Sequence, residues 1–270
     1  MNESKNALQQ VFRRSRVFLP VIHPGTKKSA LQSIDTAVRS GADGIFLINQ
    51  GMSSAQVLDF IPQVYQRHPN LWIGVNLLGT EPEEVIGLVA GLPVGGIWSD
   101  NAGIEEQSDA QPAGERFRQA RNKAGWKGLY FGGVAFKYQR EVDAALLPEA
   151  AKKAGPWMDV ITSSGPGTGF AATVEKARAL RSGAGTHPLA LASGVSPENV
   201  DGFLPYVDVD AYLVASEIET AKYSGILVPE RTKLLAEKIH GWSRKAPNRQ
   251  VQETFNSAPA PYRLQADNQP

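Results

Sequence analysis

Residues Leu189–Val200 read LALASGVSPENV. Four apolar residues in a row leave no polar face, so this strand belongs in a parallel sheet covered on both sides. Ser193-Gly194 then breaks the run, and the glycine lets backbone approach a ligand closely. Ser196-Pro197-Glu198 has the order of a helix start: a capping hydroxyl, a proline suited to the first turn, and an acid at the positive end of the dipole. A helix is therefore expected over Ser196–Leu204. Its N-terminus would favour an anion.

The same unit recurs along the chain. Strands are expected at Val17–His23, Gly44–Asn49, Leu71–Asn76, Gly96–Asp100, Gly128–Val134, Met158–Ser163, Leu189–Ser193 and Ala211–Ala215. The other expected helices are Ser29–Ser40, Ser54–Arg67, Glu81–Ala90, Ala113–Ala124, Asp143–Ala154, Thr173–Ser182 and Pro229–His240. Eight such units predict an α/β fold, a (β/α)8 TIM barrel in a single domain. A doubly wound open sheet is the competitor, but the first strand runs into IHPGTKKS, which lacks the dinucleotide fingerprint. Residues 1–16 read as a polar N-terminal lead-in and 17–242 as the barrel. Residues 243–270, rich in Gln, Asn, Pro and Ala, read as a loose C-terminal extension.

The 28 basic and 27 acidic residues give a net charge of +1, so no global field draws the chain to nucleic acid. There is no cysteine, which excludes disulfides and thiolate chemistry. Four histidines without HExxH spacing argue against a dedicated metal site. No cofactor is required on this reading, and a divalent metal stays open. No apolar run suits membrane insertion, and the start lacks the pattern of a signal peptide. A cytoplasmic homo-oligomer is the expectation.

Barrel chemistry sits at the C-terminal ends of the strands. There the sequence places His23, Asn76, Asp100, Lys137, Ser193, Gly194, Ala215 and Ser216. Asp100, beside Trp98, is the candidate acid/base, since burial would raise its pKa; it also reads as a plain strand-ending residue. Lys137 could meet a phosphate, pair with Asp100 or form a Schiff base, or simply face solvent. His23 could move a proton or hold a metal with Asp100, or be a satisfied core-edge histidine. Asn76 would orient substrate. TSSGPGTGF, Thr162–Phe170, offers Gly165, Gly167, Thr168 and Gly169 as a phosphate-wrapping loop, or as an ordinary flexible one. Strand eight ends in Ala215-Ser216 where many phosphate barrels carry glycine, and Glu217 adds a charge that a phosphate would avoid unless it points away.

LASGVSPENV, TSSGPGTG, GVNLLGTEPEEV and VPERTKLLAEKI together resemble the BtpA-like family, named for photosystem I biogenesis, over Val17 to Ile239. Gly165, Thr168 and Gly169 match its TG-x-x-TG loop. Ser193, Gly194, Pro197, Glu198 and Asn199 match its GSGVTPEN, and Gly74, Val75 and Asn76 its VGVN. The resemblance implies a barrel of the ribulose-phosphate-binding type and a divergent member: only His23, Pro24 and Gly25 remain of the opening motif, and Asn49-Gln50 stands where the family often has Glu-Asn. A weaker resemblance to phosphoribosylanthranilate isomerases stops at their catalytic cysteine, which this chain lacks.

The expected function is an enzyme acting on a small phosphorylated sugar- or nucleotide-like molecule. The loops after strands six, seven and eight would hold the phosphate, and Asp100 would do acid/base work in an isomerase, lyase or transferase. The alternative is a non-catalytic barrel acting in assembly, stabilisation or ligand sensing.

Overall fold

The computed structural model describes residues 6–242. The expected C-terminal extension lies outside the described residues. Eight parallel strands close into a barrel in chain order: β1 Val17–Ile22, β2 Gly44–Ile48, β3 Trp72–Asn76, β4 Gly96–Ser99, β5 Leu129–Gly133, β6 Val160–Ser164, β7 Leu189–Ala192 and β8 Ala211–Val214. β8 returns to β1 with Val17 opposite Ala211, which completes the circle. The helices are α1 Ala7–Phe12, α2 Lys27–Arg39, α3 Ser54–Arg67, α4 Pro82–Leu88, α5 Pro112–Ala124, α6 Leu147–Ala154, α7 Val174–Ala184 and α8 Pro229–Gly241. The protein is a (β/α)8 TIM barrel.

Strand alternation sorts the apolar residues into two cores. Phe18, Leu47 and Tyr212 face outward, against helix residues such as Ile34, Val57 and Leu235. Leu19, Phe46, Trp98, Phe131 and Leu213 fill the barrel interior. The Phe46 ring packs edge-on against Trp72, Trp98 and Phe131, with centroids 5.3, 5.6 and 5.1 Å away. Two strand glycines make room for these rings: a Cβ on Gly74 would run into Phe46, and one on Gly96 into Trp72.

The N-terminal lead-in is more than polar. Asn6 caps α1 with a reciprocal Gln9 bond, Leu8 is buried, and Phe12 packs edge-on to Trp72 at 5.1 Å. α1 thus closes the N-terminal end of the barrel. Carboxylates at that end accept backbone N–H bonds and are ion-paired: Asp43 with Phe18 N–H and Arg14, Asp159 with Tyr130 N–H and Arg121, Asp210 with Leu189 N–H and Arg181.

One expected element fails. No α-helix covers Ser196–Leu204; only a 3-10 turn forms, at Val200–Gly202. The Asn199 amide donates to Gly194 O at 2.7 Å, and its carbonyl oxygen accepts from Ser196 N–H at 2.8 Å. Val200 N–H still reaches Ser196 O at 3.0 Å and Leu204 N–H reaches Val200 O at 3.1 Å, so a capped turn forms but does not run on. Gly202 and Pro205 then weaken any continuation. The helix dipole expected to attract an anion after β7 is therefore absent.

Candidate functional site

A cavity of about 230 Å³ opens at the C-terminal end of the barrel. Its floor is apolar, with Val21, Ile48, Trp98 and Leu213, and one wall is polar, with Lys137, Thr168, Ser193 and Ser216. His23, Asp100, Gly169, Gly194 and Ala215 also line it. Asn76 stands behind the wall, and Gly165 and Gly167 shape the loop without lining the cavity.

Lys137 follows β5 and leans across the mouth. Its ammonium donates to Ser193 Oγ at 2.7 Å and Thr168 Oγ1 at 3.1 Å. It takes part in no ion pair among the described residues, although Asp100 contributes some field. Burial lowers its pKa, opposed by the Asp100 charge. Its backbone N–H is held by Ser164 Oγ at 2.8 Å. The Lys176 ammonium, anchored on the Ala135 and Ser164 carbonyls at 2.5 and 2.7 Å, ties the loops after β5 and β6 together.

The loop after β6 folds back over the end of β7. A Cβ on Gly194 would overlap the backbone of Phe170 and Ala171, so only glycine permits this crossing. Ser193 has a φ of 67°, a left-handed conformation that costs energy for a non-glycine residue. That turn aims its hydroxyl at Lys137. Lys222, on the loop after β8, donates to Thr168 O at 3.1 Å and brings a second cation near. Ser216 and Trp98 line the cavity, and Ser216 Oγ and Trp98 Nε1 are buried without partners among the described residues. Glu217 lies outside the lining, with its carboxylate near Gly169.

Asp100 follows β4. Burial raises its pKa, while the Asn76 hydrogen bond at 2.9 Å and the Lys137 charge pull it down. Asn76 is buried and thereby fixes the carboxylate. His23 follows β1, and its Nδ1 meets Glu219 Oε1 at 2.8 Å. Glu219 is buried, and its other oxygen has no partner in the described residues. Binding Nδ1 leaves Nε2 as the ring nitrogen not held by Glu219.

Sequence reasoning missed Lys222, Glu219, Tyr138 and Tyr223. Tyr138 adjoins a residue already singled out. The other three lie on the loop after β8, whose fold back over β1 no local pattern announces. Among the described residues no group of three or more His, Asp or Glu is placed to hold a metal, and no helix is long and apolar enough to cross a membrane.

No protein-family model matches the sequence, and no curated protein matches it significantly. Solved structures match the fold. A (S)-3-O-geranylgeranylglyceryl phosphate synthase from Thermoplasma acidophilum, in complex with sn-glycerol-1-phosphate, aligns with a TM-score of 0.64 at 14% identity, over 88% of this chain and 100% of its own. A phosphoribosylanthranilate isomerase from Thermotoga maritima gives 0.57 at 16%, over 84% and 100%. The corresponding enzyme from Thermus thermophilus gives 0.57 at 17%, over 84% and 98%. The chain is thus similar in fold to TIM barrels.

Proposed function

We propose that this protein is an enzyme acting on a small phosphorylated sugar- or nucleotide-like molecule, with the phosphate held between the loops after β5, β6, β7 and β8. The observation that carries this reading is the half-buried Lys137 ammonium, bonded to the Thr168 and Ser193 hydroxyls rather than to a carboxylate. A partly buried cation hydrogen-bonded to hydroxyls and joined in no ion pair favours an anionic ligand. The Ser216 hydroxyl, Gly194 and Lys222 complete the cup. The missing helix after β7 shifts the work from a dipole to side chains.

Asp100 is the acid/base in this proposal. Burial raises its pKa above the ordinary carboxylate value, the direction that suits a carboxyl that both takes and gives a proton. Asn76 holds it in place. His23 is the second proton-moving candidate. No cofactor is needed for this chemistry. The names of the similar structures contain phosphoribosyl anthranilate and glycerol phosphate, which supports the ligand class but not a reaction. We further read the chain as a divergent BtpA-like barrel, cytoplasmic and homo-oligomeric, that binds neither nucleic acid nor membrane.

The test is a thermal-shift panel of phosphosugars, nucleotides and inorganic phosphate on wild type and Ser193→Asp. Asp tolerates the left-handed turn and adds a charge that repels phosphate. A ligand at about 100 times its Kd stabilises by roughly 2.7 kcal/mol. Stabilisation of wild type alone supports the site. No stabilisation of wild type removes it, and favours the non-catalytic alternative.

A further inference from the structure

Of the ten large apolar side chains left exposed among the described residues, five stand on the loops around the cavity mouth: Leu78, Tyr138, Phe170, Tyr223 and Ile226. Tyr138 is 73% exposed and Tyr223 42%, and both line the cavity. Water-facing rings concentrated at one rim call for an explanation that scattered surface residues do not.

The backbone adds a second observation. Tyr138 has a φ of 60° and Tyr223 a φ of 63°. A bulky residue in the left-handed region is a strained exception, and such strain gathers where a ligand is gripped. The chain uses glycine for most of its other left-handed turns. Both rings are also positioned. The Tyr138 hydroxyl accepts from Thr168 N–H at 3.0 Å and donates to Thr168 Oγ1 at 3.3 Å. The Tyr223 ring packs edge-on to His23, with centroids 5.3 Å apart. Below them the floor continues the apolar surface with Ile48, Trp98 and Leu213.

We infer that the ligand is a phosphate monoester whose other end is a planar, apolar group, received between Tyr138 and Tyr223 while the phosphate sits against Lys137. This rests on the phosphate reading and sharpens its substrate class. A short polyol phosphate would leave the apolar floor and both rings wet. An aromatic or other flat group buries them at little entropic cost.

Calorimetric titration with glycerol phosphate, phenyl phosphate and benzyl alcohol tests it, on wild type and Tyr223→Asn. Asn accepts the left-handed turn, so the variant loses the ring without added strain. Phenyl phosphate should bind wild type about tenfold tighter than glycerol phosphate. In Tyr223→Asn that advantage should vanish while glycerol phosphate affinity stays. Equal affinities in wild type, or an advantage that survives in Tyr223→Asn, overturn the aromatic rim and leave the phosphate site standing. Benzyl alcohol binding that Tyr223→Asn abolishes keeps the rim even where both phosphates fail. Failure of all three probes overturns both readings.

Discussion

The two ends of this barrel are built on opposite terms. At the N-terminal end α1 closes the opening, rings pack edge to edge around Phe46, and Asp43, Asp159 and Asp210 each have both an N–H and an arginine. At the C-terminal end Asp100 and Lys137 join no ion pair among the described residues, and four of the five described non-glycine residues at left-handed φ, Ala135, Tyr138, Ser193 and Tyr223, lie there. Buried donors without partners among the described residues occur at both ends, Arg16 Nε and Arg181 Nε at the closed one and Ser216 Oγ at the open one, but at the open end unpaired charge also faces a cavity. Local dissatisfaction that a well-packed scaffold tolerates marks where binding energy can be recovered.

That contrast can be broken by mutation. Phe46→Ala should cost about 3–5 kcal/mol in chemical unfolding, because it empties the centre of the closed end. Phosphate affinity of the folded variant should not change. Leu8→Ala should cost about 2 kcal/mol, again with affinity intact; a change in Kd would mean that the two ends are coupled. Lys137→Met should act in the reverse sense. It should weaken phosphate binding by about tenfold or more while thermal stability holds or rises.

The smallest effect belongs to Asp100→Asn. The Asp100 pKa is raised in the fold, so the native state keeps its proton better than the unfolded chain does. The stability that this carboxyl contributes is present below its ordinary value and lost as pH rises through the raised one. At about pH 7 the variant should therefore gain about a degree or two in Tm, and the gain should shrink toward about pH 4. A loss of stability at neutral pH would show that the charged carboxylate is a structural partner instead.

The barrel was largely legible in the chain, but α1, which closes its N-terminal end, was not: it read as a polar lead-in. Continuous apolar runs such as IFLI and LALA fit a strand covered on both faces, and their regular alternation with helical stretches leads to the barrel. The open end was half legible. Strand-terminal polar residues located Asp100, Lys137, His23 and Ser193, because position in a barrel assigns them a face. The Ser196-Pro197-Glu198 signal marked a capped turn, but Gly202 and Pro205 keep it from running on as a helix. Glu219 lies 196 residues from His23, and only closure of β8 onto β1 brings them together. Strain at Tyr138 and Tyr223 comes from loop paths that residue type would argue against.

The central claim is that an anion belongs among Lys137, Thr168, Ser193 and Gly194. A crystal structure of the wild type soaked in a phosphate monoester tests it most directly. The account predicts a phosphate group within hydrogen-bond reach of the Lys137 ammonium and the Ser193 hydroxyl, absent from Ser193→Asp crystals treated alike. Phosphate bound elsewhere in the molecule, with this corner taken up by water at saturating ligand, would contradict it.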